Sequence, residues 1–242
     1  MGKTAKSYLI LDIETVPDTT LWGTPDPPLG HQRPFPPTYA HRVVTVGCMW
    51  LDENYALKRL GVVGEATEEA SILGDLSDFI DKNRPALVTF NGRTFDLPVL
   101  ALRSLRWGVP MGWYYQERGL RYRYSEEGHI DLCDWLADHG AAKSSSLDDL
   151  ARLIGLPGKI GGDGSQIDGL YRAGQIETIR NFCLGDVAQT ALLFLRFRLL
   201  QGVLPRDQYL EITAALMDEL RADSRLTELT SAIDGARLLA AA

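Results

Sequence analysis

Hydrophobic and polar positions switch between two periods along the chain, and the switches mark its elements. Residues 8–15 (YLILDIET) form a run of branched apolar side chains closed by Pro17, the pattern of a buried strand. Residues 42–50 and 57–63 read as two more strands joined by an Asp52-Glu53-Asn54 turn, so the sheet opens antiparallel. Thr67, followed by Glu68, Glu69 and a periodic stripe of Ile72, Leu73, Leu76, Phe79 and Ile80, predicts an N-capped helix. A short buried strand over 85–90 then runs into a turn at 91–96 and a helix opening at Pro98. Residues 130–136 continue into a helical segment, Ser146 caps a helix over 147–154, and 175–200 carries a strong helical period. Residues 206–242 read as one or two amphipathic helices. Alternating strands and helices predict an α/β layer architecture.

Three stretches break the periodicity. Residues 18–41 hold Pro25, Pro27, Pro28, Pro34, Pro36 and Pro37 and read as a long irregular excursion. Between 155 and 164, five glycines with Pro157 and Lys159 make a loop; it matches no P-loop pattern, and a mobile connector is the simpler reading. Over 103–124, Arg103, Arg106, Arg118, Arg121 and Arg123 interleave with Trp107, Trp113, Tyr114, Tyr115, Tyr122 and Tyr124. That mixture offers charge for phosphates and flat rings for bases, and it equally describes a loop whose aromatics fill core gaps.

A length of 242 residues fits one large α/β domain with a helical appendage, divided here as 1–204 and 205–242. With 45% hydrophobic residues the chain has ample material for a core. No apolar run reaches membrane-spanning length and nothing resembles a signal peptide, so a cytoplasmic protein without a membrane partner is expected. Three scattered cysteines (Cys48, Cys133, Cys183) without a CxxC pair agree with a reducing compartment and argue against a zinc site. A net charge of −7 excludes polyanion binding by bulk electrostatics, so any nucleic-acid contact must come from a local groove.

The charge that changes the picture lies inside the first strand. Asp12 and Glu14 are two apart, so on a strand both project from one face. Burying two like charges is costly unless a proton or cation joins them, and a divalent ion with oxygen ligands is the least expensive answer. Asp96 follows the fourth strand and Asp186 lies in the apolar helix over 175–200. Four acids gathered on a small sheet suit two divalent ions about 3.5–4 Å apart, the arrangement for in-line displacement at phosphorus.

With these residues in hand, the chain resembles the DEDD 3′–5′ exonucleases. Leu11-Asp12-Ile13-Glu14-Thr15 looks like their first motif, and Asn91-Gly92-Arg93-Thr94-Phe95-Asp96-Leu97-Pro98 like the second motif of family B DNA polymerase proofreading domains. Cys183-Leu184-Gly185-Asp186-Val187 corresponds to the third, and 129–134 and 156–166 are similar to stand-alone, PolB-like members of the group. The resemblance spans about residues 7–200 and leaves no room for a polymerase. It implies a ribonuclease H-like fold, a mixed sheet flanked by helices, with Asp12, Glu14 and Asp186 holding one Mg²⁺ or Mn²⁺ and Asp12 bridging to a second. Asp96 would reach its metal through water, and Asp131 either supports the site or caps a helix. Substrate contacts are implied for Thr15, Asn91, Arg93, Phe95 and Lys159, and the implied substrate is a single-stranded 3′ end, DNA rather than RNA. The motif's usual tyrosine four residues before the aspartate is replaced by Phe182, and the histidine used by a sister branch by Asn181. The expected activity is therefore slow hydrolysis. A non-catalytic module that grips nucleic acid or a partner protein, and a hydrolase of small nucleotides, stay open as alternatives.

Overall fold

The computed structural model describes residues 6–23, 35–64, 68–160 and 166–239. Strand β1 (Tyr8–Pro17) occupies the middle of a five-stranded sheet of order β3-β2-β1-β4-β5. It pairs antiparallel with β2 (His41–Leu51), which pairs antiparallel with β3 (Leu57–Val62). On its other edge it runs parallel to β4 (Ala86–Thr89), and β4 runs parallel to β5 (His129–Asp131). Each parallel step is spanned by helical chain, as a crossover requires. The mixed sheet flanked by helices is the α/β class expected.

Among the described residues, eleven α-helical segments follow in chain order: α1 (Glu69–Asn83), α2 (Asp96–Trp107), α3 (Gly112–Tyr115), α4 (Arg118–Arg121), α5 (Leu132–Leu136) and α6 (Leu147–Leu153), then α7 (Ile167–Arg172), α8 (Ile176–Leu200), α9 (Arg206–Ala222), α10 (Thr227–Ser231) and α11 (Gly235–Leu239). Strand alternation divides the core in two. Leu9, Leu11 and Ile13 pack with Ile72, Leu73 and Leu76 of α1 and Leu97 and Leu100 of α2. Ile10 points the other way, into a larger cluster built on Leu184, Val187, Ala188 and Ala191 of α8. Both faces of β1 are thus covered, which is why it reads as an almost unbroken apolar run. Positions 12 and 14 inherit the α8 face from Ile10.

The C-terminal helices extend the α8 side: Tyr209, Leu216 and Leu220 of α9 and Leu238 of α11 share its core. The Tyr209 hydroxyl donates to the Leu238 carbonyl (2.8 Å) and accepts from Arg196 of α8 (2.8 Å). Among the described residues, no helix is long and apolar enough to cross a membrane.

Two local expectations are corrected, and a third, left open between two readings, is resolved. Glu68 occupies the cap position of α1 and makes no side-chain cap; Thr67 lies outside the described residues. Helix α2 opens at Asp96, not Pro98, because a proline in the first turn gives up an amide that has no helical partner there. Within the basic aromatic stretch, Arg103 and Trp113 are each 1% exposed and belong to the core. Arg103 donates to Glu69 (2.7 and 2.6 Å) and Asp18 (2.8 Å), and Trp107 donates to the same Glu69 (2.7 Å). Glu69 also accepts the Val43 amide (2.8 Å), so this buried charge group ties the end of β1, the start of β2, α1 and α2 together. Ser146 caps α6 as expected, in a reciprocal pair with Asp149.

Candidate metal and nucleic-acid site

Asp12 and Glu14 stand side by side on the α8 face of β1, opposite Gly47 and Thr45 of β2. A register shift between Glu14 and Thr15 turns the strand's last residues. Gly47 lets α8 come close: a β-carbon there would lie 2.7 Å from the Cys183 sulfur and 3.1 Å from a Val187 methyl. Cys183 is one turn before Asp186, so the same approach that buries its thiol against Asp12 carries Asp186 to the strand acids. Asp96 is the first residue of α2 and is 4% exposed.

Asp12 and Glu14 feel the charges of Asp96 and Asp186. Asp12 is held well above the ordinary aspartate range, by burial first and then by Asp96, Glu14 and Asp186. Glu14 is pushed up to about 8 by burial, Asp186 and Asp96, with Lys159 pulling the other way. Burial lifts Asp96 to about 7, although its own amide and that of Ile13 favour the ionised form. Asp186 rises to about 6, again by burial, and Lys159 opposes the rise. The charge on Lys159 therefore faces the cluster while its backbone amide is bound by Asp148 (2.8 Å). Acids that resist ionisation because they are withdrawn from water and, at Asp12 and Glu14, because neighbouring carboxylates repel them are what a cation site looks like to its own ligands, so the donor set fits divalent metal.

This has a measurable consequence. A carboxyl whose folded pKa exceeds its unfolded value favours folding fully at pH below the unfolded value, and that contribution drains away as pH rises to the folded value. With chelator present, the melting temperature is expected to fall as pH is raised from about 4 to 8, the window bounded by unperturbed carboxyls and by Glu14 near 8. Saturating Mn²⁺ should cancel most of the loss at pH 8, which paired melts with and without the ion would check.

The loop carrying Asp96 is organised by Asp131. Its carboxylate accepts the amides of Asn91 and Arg93 (2.8 Å each), and of Cys133 (3.1 Å) and Asp134 (3.4 Å) at the start of α5. Capping α5 and holding the loop before α2 are thus one role, performed by one side chain. Asn91 adopts a left-handed backbone (φ 63°), and Gly92 is required because a β-carbon would strike Thr89 at 2.5 Å. The Asn91 side-chain oxygen accepts the Thr94 hydroxyl (2.6 Å), which turns its NH₂ group outward as a donor. The Arg93 guanidinium turns toward the Arg121 carbonyl and His129 (3.4 Å each). Burial holds His129 neutral, with its pKa lowered to about 3.

Sequence reasoning missed two members of the site. His41 donates from Nε2 to the Pro36 carbonyl (2.9 Å), so its Nδ1 accepts the Thr15 hydroxyl proton (3.0 Å). Its ring also lies 5.0 Å edge-on from Phe95, and the exposed Phe35 ring sits 4.8 Å from His41 and 6.0 Å from Phe95. Thr15 and Phe95 therefore meet at an aromatic patch beside the acids. Phe182 lies with Tyr171 against Val16, Val44 and Ile179. Of the basic aromatic stretch, Tyr115, Tyr122 and Tyr124 are exposed, and Arg121 stacks over Tyr114 and Tyr115 (5.9 and 5.4 Å). A cleft of about 410 Å³ opens between Asn91, Arg93 and Thr94 on one side and Arg123, Asp134 and Gly140 on the other.

Comparison with known proteins agrees with this architecture. The structure is similar to a family B DNA polymerase from the hyperthermophilic archaeon Pyrobaculum calidifontis, with a TM-score of 0.57, 16% identity and 88% of this chain covered. The match takes up 29% of the polymerase, so the likeness is one of fold, that of a polymerase exonuclease domain of the ribonuclease H-like kind. No curated protein matches the chain. A family model described as a predicted 3′–5′ exonuclease related to the exonuclease domain of PolB matches residues 33–232. That span holds Asp96 and Asp186; β1, with Asp12 and Glu14, precedes it and joins them through the sheet. The chain belongs to the family of predicted 3′–5′ exonucleases related to the exonuclease domain of PolB.

Proposed function

We propose that the chain removes nucleotides from the 3′ ends of single-stranded nucleic acid, DNA in preference to RNA, with two divalent cations at the carboxylate cluster. The reading rests above all on Asp12 and Glu14 of β1, which burial and the charges of Asp96 on α2 and Asp186 on α8 together hold above their ordinary pKa. Asp12, Glu14 and Asp186 would hold one Mg²⁺ or Mn²⁺, and Asp12 with Asp96 a second. Bound there, such ions neutralise the cluster and polarise both the attacking water and the leaving oxygen.

The chain's own groups grip and align the end. Thr15 keeps its hydroxyl oxygen free as an acceptor for a terminal hydroxyl, because its proton is spent on His41. Asn91 offers its NH₂ to a phosphate or base. Phe95, backed by His41 and Phe35, provides a face for the last base. Lys159 supplies positive charge next to Glu14 and Asp186, where the scissile phosphate would lie. Arg93 and the exposed Tyr122 and Tyr124 line the route for upstream nucleotides.

Strands labelled at the 5′ end, incubated with Mn²⁺, should give a ladder shortening one nucleotide at a time, while a 3′-phosphate should block it. Full-length release of an internal fragment, or no product at all, would end this reading. A hydroxyl one turn from Asp186 helps orient water, and general acid–base assistance is worth about 10²–10⁴-fold at full strength. Phe182→Tyr is expected to raise the single-turnover rate about tenfold, short of that range, since the ring now packs against Val16 and Ile179.

The apolar surroundings of Phe182 also support a second reading, a module that binds 3′ ends without cutting them. Metal-dependent binding with no product from either the native chain or Phe182→Tyr would favour it.

A further inference from the structure

We propose that Cys183 joins Asp12 and Glu14 in a mixed sulfur–oxygen site that captures thiophilic divalent ions such as Zn²⁺ and Cd²⁺ at one position of the cluster. The inference rests on the metal-site reading above and goes beyond it, since the resemblance assigned no role to a thiol.

One donor atom from each of Asp12, Glu14 and Cys183 lies within 4.8 Å of the others. The Cys183 sulfur is 3.5 Å from the Asp12 carboxylate oxygen Oδ2 and 3.5 Å from the Asp12 carbonyl. A tetrahedral ion with sulfur at about 2.3 Å and carboxylate oxygen at about 2.0 Å separates those two donors by about 3.5 Å. The sulfur and oxygen already stand at that spacing. The thiol is completely buried and is aimed at a carboxylate, an unusual destination for a small apolar-packing side chain. It is held there from behind, since the space a β-carbon of residue 47 would take is filled by the sulfur.

The chemistry is ligand exchange without oxidation. The ion displaces the thiol proton to solvent and accepts a lone pair from the resulting thiolate, alongside the two carboxylates. A thiolate strengthens binding of soft ions much more than of Mg²⁺, which prefers oxygen. The site would therefore discriminate among cations, and Zn²⁺ or Cd²⁺ would compete with the ions that suit hydrolysis. The other thiols are placed differently: Cys48 belongs to the α1–α2 side of the sheet, and Cys133 faces the Ser145 carbonyl.

The test uses the full chain, stripped with chelator and titrated with cadmium chloride. The readout is the ultraviolet thiolate-to-cadmium charge-transfer band, with manganese chloride titrated separately by calorimetry. One equivalent of Cd²⁺ should develop the band in the native chain and in Cys133→Ser. It should be absent in Cys183→Ser and in Asp12→Asn. The ratio of Cd²⁺ to Mn²⁺ affinity should drop by at least about tenfold in Cys183→Ser. Cys183→Ala, which buries no hydroxyl, provides the same comparison if the serine variant does not fold. A band that persists in both Cys183 variants overturns the proposal. So does a native chain that binds Mn²⁺ but shows no band, in which case the thiol is only a hydrogen-bond donor and the nuclease reading stands. If neither ion binds, the carboxylate site itself fails and this inference fails with it.

Discussion

Changing Asp12 to Asn and Glu14 to Gln together is expected to remove Mn²⁺-dependent hydrolysis, by at least about 10³-fold, and to stabilise the metal-free chain. The first effect follows because electrostatic stabilisation at developing charge is usually the largest catalytic contribution, and these two side chains project together from the central strand. The second follows from the same geometry. Each acid is held above its ordinary pKa by burial and by carboxylate neighbours, so the ionised pair is a burden on the fold when no cation is present. Amides of the same size remove the repulsion and keep the packing. In a chain of this size each kcal/mol gained raises the melting temperature by about 2–4 °C. Chelated melts at pH 8 and a 3′-end assay would measure both effects. A variant that lost activity and also melted lower without metal would indicate a structural role for the pair.

Asp131→Ala should be the most damaging substitution outside the metal cluster. The carboxylate is the acceptor for four backbone amides, two in the loop before α2 and two at the start of α5. An amide left without a partner costs about 1–3 kcal/mol when buried, and the two shortest bonds hold a segment with a left-handed residue at Asn91. A loss of at least about 3 kcal/mol, or roughly 6–12 °C, is the sum to look for. Because α2 begins at Asp96, the loss should extend to metal binding, and calorimetry with Mn²⁺ should show weaker binding at temperatures where the variant is still folded. Asp131→Asn, with a single acceptor oxygen, should fall between. Native-like Mn²⁺ affinity in a folded Asp131→Ala chain would separate the loop from the site.

What could be read from the sequence, and what could not, follows from the range of the interactions involved. Strands β1 to β4 and the long helices were legible because each is an uninterrupted local pattern, and the antiparallel start follows from a short turn between β2 and β3; the three residues of β5 are too few to show a strand period and read only as leading into a helical segment. Asp12 and Glu14 were legible as a pair because strand period alone puts them on one face. Asp96 and Asp186 needed motif context, since nothing within a few residues says that α2 and α8 converge on β1. Arg103 stayed open between two readings for the converse reason: an arginine among aromatics looks the same whether it waits for phosphate or is satisfied by Glu69 and Asp18, which are distant in sequence. His41 and Phe35 went unseen because their link to Thr15 and Phe95 depends on the β1–β2 register and on the placement of residues 35–40, which lead into β2.

Gly47 carries a consequence of a different kind. Its neighbour across the ladder is Asp12 and its neighbour across the layer is Cys183, so sheet and helix approach closely where the chemistry would take place. The reach of Asp186 is therefore set by an atom that is missing. A single added methyl group at residue 47 would press on Cys183 and Val187 and act as a spacer between strand and helix, leaving Asp12 and Glu14 paired on β1 while holding Asp186 farther from them.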